Sequence, residues 1–150
     1  MPKMKPLEEW VCDRCGELMG IDDGWVEWLS PTGKGPHSFH IVHNKSECFH
    51  HTRAYDRADN HLAYFLGTNG LQLFLAMLDV GPILDPQRKG LTAPEMASFV
   101  DTMRRLQIPF YEEARRYFSD AHADGYFNDQ NEVSIFLPKT CEAIIKRYET

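Results

Sequence analysis

Long apolar runs are missing from this chain. No stretch of about 18 apolar residues occurs in its 150 residues, so no membrane-spanning helix is expected. The opening Met-Pro-Lys-Met-Lys-Pro-Leu-Glu-Glu has no apolar signal core, which points to a soluble, cytoplasmic protein. Positive charge is the minority sign: 16 Lys and Arg face 22 Asp and Glu, a formal net charge of −6. Indiscriminate nucleic-acid binding depends on phosphate neutralisation, so this balance disfavours DNA as a partner, although a local basic patch would escape the argument. No Gly-rich phosphate loop of the P-loop type, no Gly-x-Ser-x-Gly elbow and no His-Glu-x-x-His pair is present. Internal repeats and low-complexity segments are also absent from the sequence.

Cysteine is scarce, with four residues, but three of them stand at meaningful spacing. Cys12-Asp-Arg-Cys15-Gly16 is followed, after 32 intervening residues, by Cys48-Phe-His-His51. Zinc takes four thiolate or imidazole ligands in a tetrahedron, and a C-x2-C pair on a tight turn aims both sulfurs at one point. Gly16 lets the chain reverse directly after the second sulfur. Cys48 with His51 repeats the two-residue gap. The expected metal ligands are therefore Cys12, Cys15, Cys48 and His51, with Zn as the cofactor and with His43 and His50 as rivals for the fourth position. A thioredoxin-like redox pair would follow a strand and open a helix, whereas Cys15 runs into Gly-Glu-Leu-Met-Gly and then strand-like sequence. Cys141 stands alone in Thr140-Cys-Glu-Ala-Ile-Ile and reads as a small buried hydrophobe. Three ligand-like cysteines out of four suit a reducing compartment better than a disulfide scaffold.

Hydrophobic residues make up 43% and aromatics 12%, enough for a core in one ordinary domain or two small ones. The organisation changes near residue 52. Before it, Glu9–Cys12, Leu18–Ile21, Gly24–Leu29 and Ser38–His43 read as short strands, and the loop Ser30–Pro36 carries two Gly and two Pro. So small a sheet buries too little surface to stand alone, and a metal would supply the missing stability. Trp10, Trp25 and Trp28 all fall in this part; strand alternation puts Trp25 and Trp28 on opposite faces, one to pack on the helices and one open to a partner.

After residue 52 the period becomes helical. Arg53–Leu66 and Leu71–Leu78 read as helices around a Gly-rich break, and the second, apolar on nearly every side, is expected to be the central buried helix. Asp79–Gly90 is turn-rich, with Gly81-Pro82, Asp85-Pro86 and Lys89-Gly90. Thr92 and Glu95 form a capping-box pattern ahead of an apolar face of Met96, Phe99, Val100 and Met103. A helix from Pro109 to Asp124, a short β-hairpin near 126–137 and a last helix from Pro138 complete the chain. The expected fold class is α+β: a zinc-finger module over 1–52 packed on a mainly helical domain over 53–150.

The cysteine spacing resembles the zinc-ribbon and treble-clef class of zinc fingers, in which the metal is usually structural. The later order of helix, helix, helix and hairpin is similar to a winged helix-turn-helix. That resemblance implies that the third helix, with Glu112, Glu113, Arg115 and Arg116 exposed early in it, would face a DNA groove or a protein partner. Six of the seven histidines, His37, His40, His43, His50, His51 and His61, fall together with Asp56 and Asp59. Such a set could form a second metal site or a hydrolytic centre like that of the His-metal-finger nucleases. The sequence supports a zinc-stabilised binding or regulatory module that contacts protein or, less readily, DNA; the alternative is a metal-dependent hydrolase or nuclease using the His37–His61 cluster.

Overall fold

The computed structural model describes residues 3–87, 89 and 92–150, so the expected Lys89–Gly90 turn falls partly outside the described residues. Strand β1 (Glu9–Val11) runs antiparallel to β2 (Leu18–Gly20), with Trp10 opposite Met19 and both side chains buried. The turn between them carries Cys12 and Cys15. Strand β3 (Gly24–Leu29) is the centre of a three-stranded antiparallel sheet, flanked by β4 (His37–His43) and β5 (Arg57–His61). Alternation sends Val26, paired with Ile41, to one face and Trp25, paired with Val42 and His61, to the other. Trp28 stacks on Phe39 at 5.6 Å and meets Phe65 edge-on at 5.9 Å, so this tryptophan fixes the sheet to the helical layer.

The sequence-based helix over Arg53–Leu66 is instead β5 followed by a 3-10 turn at Leu62–Phe65. Arg57-Ala-Asp-Asn-His61 has no apolar helical stripe, and the open edge of β3 offers it main-chain partners, so pairing overrides local propensity. Helix α1 (Gly67–Leu78) buries only Gly70 and Phe74, and leaves Leu71 and Leu75 exposed. It is a surface helix, packed through one face on Phe65 and Phe99. Helix α2 (Met96–Gln107) starts later than the Thr92 signal suggests. Its cap is Glu95, whose carboxylate accepts from the main-chain N–H groups of Ala97 and Ser98 at 3.0 and 3.1 Å. Its buried face is Phe99, Thr102, Arg105 and Leu106, which brings an arginine inward.

The expected Pro109–Asp124 helix is broken into α3 (Tyr111–Ala114), a 3-10 turn at Arg115–Tyr117 and α4 (Phe118–Ala123). Glu112 and Glu113, expected at an exposed tip, are buried. No strand forms at 126–137, where turns and a 3-10 segment at Ser134–Phe136 replace the expected hairpin. Asn131 Oδ1 accepts the Val133 and Ser134 N–H groups at 3.0 and 2.9 Å, which closes a local turn in place of a strand, and Phe127 and Phe136 both pack on Phe118. Helix α5 (Pro138–Tyr148) opens on its proline as expected.

Two apolar clusters result. The first joins Trp10, Val26, Phe39, Ile41, Leu62, Phe65, Phe74, Phe99 and Leu106, so both sheets, α1 and α2 share it and the packing runs across residue 52. The second lies among α3, α4 and α5 around Tyr111, Ala121, Cys141 and Ile144. The Cys141 thiol there is pushed up to about 11 by burial, with Glu113 adding to the effect, which makes it inert packing. The fold is α+β, and among the described residues no helix is long and apolar enough to cross a membrane.

One close approach gives a direct test. A Cβ on Gly70 would overlap the main-chain carbonyl of Phe65, which cannot move aside as a side chain would. Gly70→Ala is therefore expected to destabilise by about 1–3 kcal/mol despite the better helix propensity of alanine. Chemical denaturation would measure it, and a more stable variant would show that α1 is not seated against Phe65.

Candidate metal centre

Three separate pieces of chain deliver the donor atoms. Cys12 follows β1, and its N–H bonds the Glu17 carbonyl at 2.9 Å across the turn. Gly16, at φ +78°, donates back to the Cys12 carbonyl at 3.0 Å, so both cysteines of the pair sit on one closed turn. His43 is the last residue of β4. Cys48 ends the 3-10 turn Ser46–Cys48, which is tied back by its own N–H to the Lys45 carbonyl at 2.9 Å. Ligand atoms of Cys12, Cys15, His43 and Cys48 all lie within 4.8 Å of one another, and this Cys3His group could hold a metal ion. Cys12, His43 and Cys48 are buried and Cys15 is exposed.

The distances identify how the imidazole faces the sulfurs. His43 Nδ1 is 3.3 Å from Cys15 Sγ and 3.9 Å from Cys48 Sγ, and the His43 main-chain N–H points at Cys12 Sγ at 3.4 Å. Burial raises the Cys12 thiol, but main-chain N–H groups of Cys15, His43 and Arg14 outweigh it and bring the group down to about 6. Cys48 is pushed up to about 11 by burial and by its sulfur neighbours. Three thiols this close cannot all ionise without a cation among them, and a metal ion is the cation that this donor chemistry fits.

His51, the expected fourth ligand, lies elsewhere: its Nε2 is 3.0 Å from the Ser38 carbonyl oxygen. His50 also leaves the group, since its Nδ1 is 3.2 Å from Glu27 Oε1 and its ring stacks on His40 at 3.8 Å with the planes 1° apart. Strand alternation was the signal for His43. It shares a face with Ile41 and Phe39, which point into the core, and it ends β4 opposite Gly24, next to the cysteine turn.

Behind the cysteine turn lies a buried ionic network that sequence reasoning did not find. Arg105 of α2 donates Nε to Glu112 Oε2 at 2.7 Å and its second terminal nitrogen to Glu112 Oε1 at 2.9 Å. The same guanidinium reaches Asp13 Oδ2 at 2.7 Å and the Val11 carbonyl at 3.1 Å. Asp13 is thus the residue between the two metal-facing cysteines that α2 holds in place; its carboxylate also accepts the Ile41 N–H at 2.8 Å. Burial would raise the Asp13 carboxyl, but Arg105 holds it below the usual carboxylate range. A helical-spacing pattern of Phe99, Thr102 and Arg105 was the available clue to the arginine.

His40, His50 and His51 lie together, with ring centroids 3.8, 5.4 and 6.3 Å apart, while the others have partners elsewhere. His37 bonds Ser38 Oγ at 2.9 Å, and His61 packs on Trp25 at 4.7 Å. Across the sheet, β3 Glu27 lies between His40 and Asp59, fully buried, and accepts from the His50 N–H at 2.6 Å and Arg57 Nε at 3.1 Å. Among the described residues, no second group of three donors is drawn within metal-binding reach. No protein-family model, curated protein or solved structure matches the chain.

Proposed function

We propose that this protein is a zinc-stabilised binding module whose partner is another protein. The observation that carries the reading is the closure of the donor set. Three sulfurs and one imidazole nitrogen, from Cys12, Cys15, Cys48 and His43, supply all four ligands that a tetrahedral zinc takes, leaving no position for substrate. Sulfur-rich donors also favour zinc over magnesium or calcium, which prefer oxygen. Free thiols suit a cytoplasmic, reducing setting.

Exposed apolar side chains support a protein partner. Leu71 on α1 borders a groove with Val100, Met103 and Ile108, Leu75 one turn further along α1 is also exposed, and Ile83 and Leu84 beyond the helix are 92% and 78% exposed. DNA fits less well, given the net charge of −6. Leu71→Asp with Leu75→Asp should leave stability within about 0.5 kcal/mol while reducing partner binding. Metal analysis tests the core of the proposal: one zinc per chain, with loss of near-UV circular dichroism on chelation. Two metals per chain, or a metal removed with the fold intact, would overturn it.

A second reading, a hydrolase built on the histidines, is favoured by one observation, the buried Glu27 beside His50 and Arg57. A buried carboxylate holding an imidazole is an arrangement that general-base chemistry uses. This reading requires metal-loaded protein to hydrolyse a phosphodiester such as bis-p-nitrophenyl phosphate, and His50→Ala to remove that activity with zinc content unchanged. An inactive wild-type protein would discard it.

A further inference from the structure

Helix α1 lies on the surface yet carries no charge. From Leu62 through Leu78 the sequence contains no Asp, Glu, Lys or Arg, although Leu71, Gln72 and Leu75 are exposed. A solvent-facing helix normally sets charged side chains opposite its buried stripe. Apolar exposure with charge depletion is instead the composition of an interface core, and most of all of an interface between identical chains. At the start of α1, Leu71 borders a groove of about 390 Å³ with Val100, Met103 and Ile108 from the end of α2. Gln107 ties these two helix ends together, its Nε2 donating to the Phe65 carbonyl at 2.7 Å. Beyond the other end of α1, the Asp85 N–H closes a turn on the Gly81 carbonyl at 3.1 Å, and Ile83 and Leu84 project from it into solvent. An apolar recess and an apolar protrusion thus flank one helix at its opposite ends.

We propose that α1 is the interface of a homodimer, in which a second copy of this chain packs its own α1 antiparallel across a two-fold axis near Leu75. This rests on reading the α1 face as a protein-docking surface, and it names the occupant. Two antiparallel helices paired at Leu75 put Leu71 of each copy opposite Asp79 of the other. The turn beyond Asp79 then carries Ile83 and Leu84 over the other copy's groove, and the exchange is reciprocal. Such a contact closes with two chains, so it builds a dimer and leaves no surface for a filament. The charges agree with this register: Asp79 and Asp85 flank the projecting turn, and Arg104 lines the groove. Each copy's acids approach the other's guanidinium, which favours this orientation over its reverse.

The test is analytical ultracentrifugation of the full, metal-loaded chain from low to high micromolar concentration. A reversible rise from 17.4 kDa toward twice that mass is expected. Leu75→Asp sets two carboxylates against each other at the axis and should weaken self-association at least ~100-fold. Ile83→Ser with Leu84→Ser alters only exposed side chains, so it should keep the fold and still weaken association by about tenfold or more. In a mixture of isotope-labelled and unlabelled chains, filtered NOEs should join the Ile83 methyls to Met103 and Ile108 of the other copy. A chain that stays at 17.4 kDa at high micromolar concentration, whether or not it sediments with lipid vesicles, overturns the proposal. A dimer indifferent to both variants, or one without those NOEs, overturns it as well. Failure of the zinc-module reading would appear separately, in the metal count and the response to chelation.

Discussion

Cys48→Ser is expected to cost the chain most of its folded structure. Serine keeps the shape but replaces a thiolate ligand with a hydroxyl that zinc binds poorly at neutral pH. Structural zinc contributes about 10–16 kcal/mol in small zinc-dependent folds, against a net stability of about 5–15 kcal/mol for an ordinary domain. The consequence should not stay local. Cys12 and Cys48 belong to the same buried cluster as Trp10, Phe39 and Phe99, so releasing the cysteine turn opens the core that α1 and α2 also use. Near-UV circular dichroism of Trp10, fully buried one residue from Val11 and the cysteine turn, is the readout. A Cys48→Ser protein that melted like the wild type would remove the metal from any role in stability.

The same experiment separates the two candidate imidazoles. His43→Ala should release zinc, since Nδ1 of His43 faces Cys15 and Cys48. His51→Ala should retain one zinc per chain, losing only the contact to the Ser38 carbonyl, worth about 1 kcal/mol. The reverse pattern would return the fourth position to the C-x2-H spacing.

How much of this was legible in the sequence follows from which interactions are local. The cysteine turn was readable because spacing and Gly16 fix it within five residues, and β1 to β4 were readable because turn chemistry and alternation are short-range signals. His43 was harder. Its role depends on where β4 ends relative to a turn nearly thirty residues earlier, and the local C-x2-H pattern at Cys48 competed with it. The segment 53–66 contains no strong strand former in Arg57-Ala-Asp-Asn-His61, and only the free edge of β3 makes it a strand. Glu112 and Glu113 looked like a solvated helix tip because acids in a first turn usually are. Glu112 turns inward because Arg105, seven residues before it and on another helix, faces inward too. No window of local sequence contains that fact.

Arg105→Met carries the second large expected effect, and it tests whether the two halves of the site act as one. The guanidinium is 3% exposed and serves Glu112, Asp13 and the Val11 carbonyl together, while its own main-chain oxygen accepts Trp10 Nε1–H at 3.0 Å. Removing it leaves the Glu112 carboxylate, itself 2% exposed, with only the Val11 N–H at 3.2 Å and the partly exposed Arg115 at 3.7 Å, and such half-broken buried pairs typically cost about 3–5 kcal/mol. Arg105→Met with Glu112→Met should recover much of that loss, because two apolar chains of similar length replace both charges. Metal affinity should not recover with it. Asp13 would still lack the partner that orients the residue between Cys12 and Cys15, and loss of such an outer contact typically weakens metal binding by about 10–100-fold. Stability restored with affinity still reduced is thus the signature of an arginine that positions the cysteine turn. If the double variant regained both, Arg105 would be a buried charge serving the fold alone, and the metal-facing turn would be held by its own hydrogen bonds.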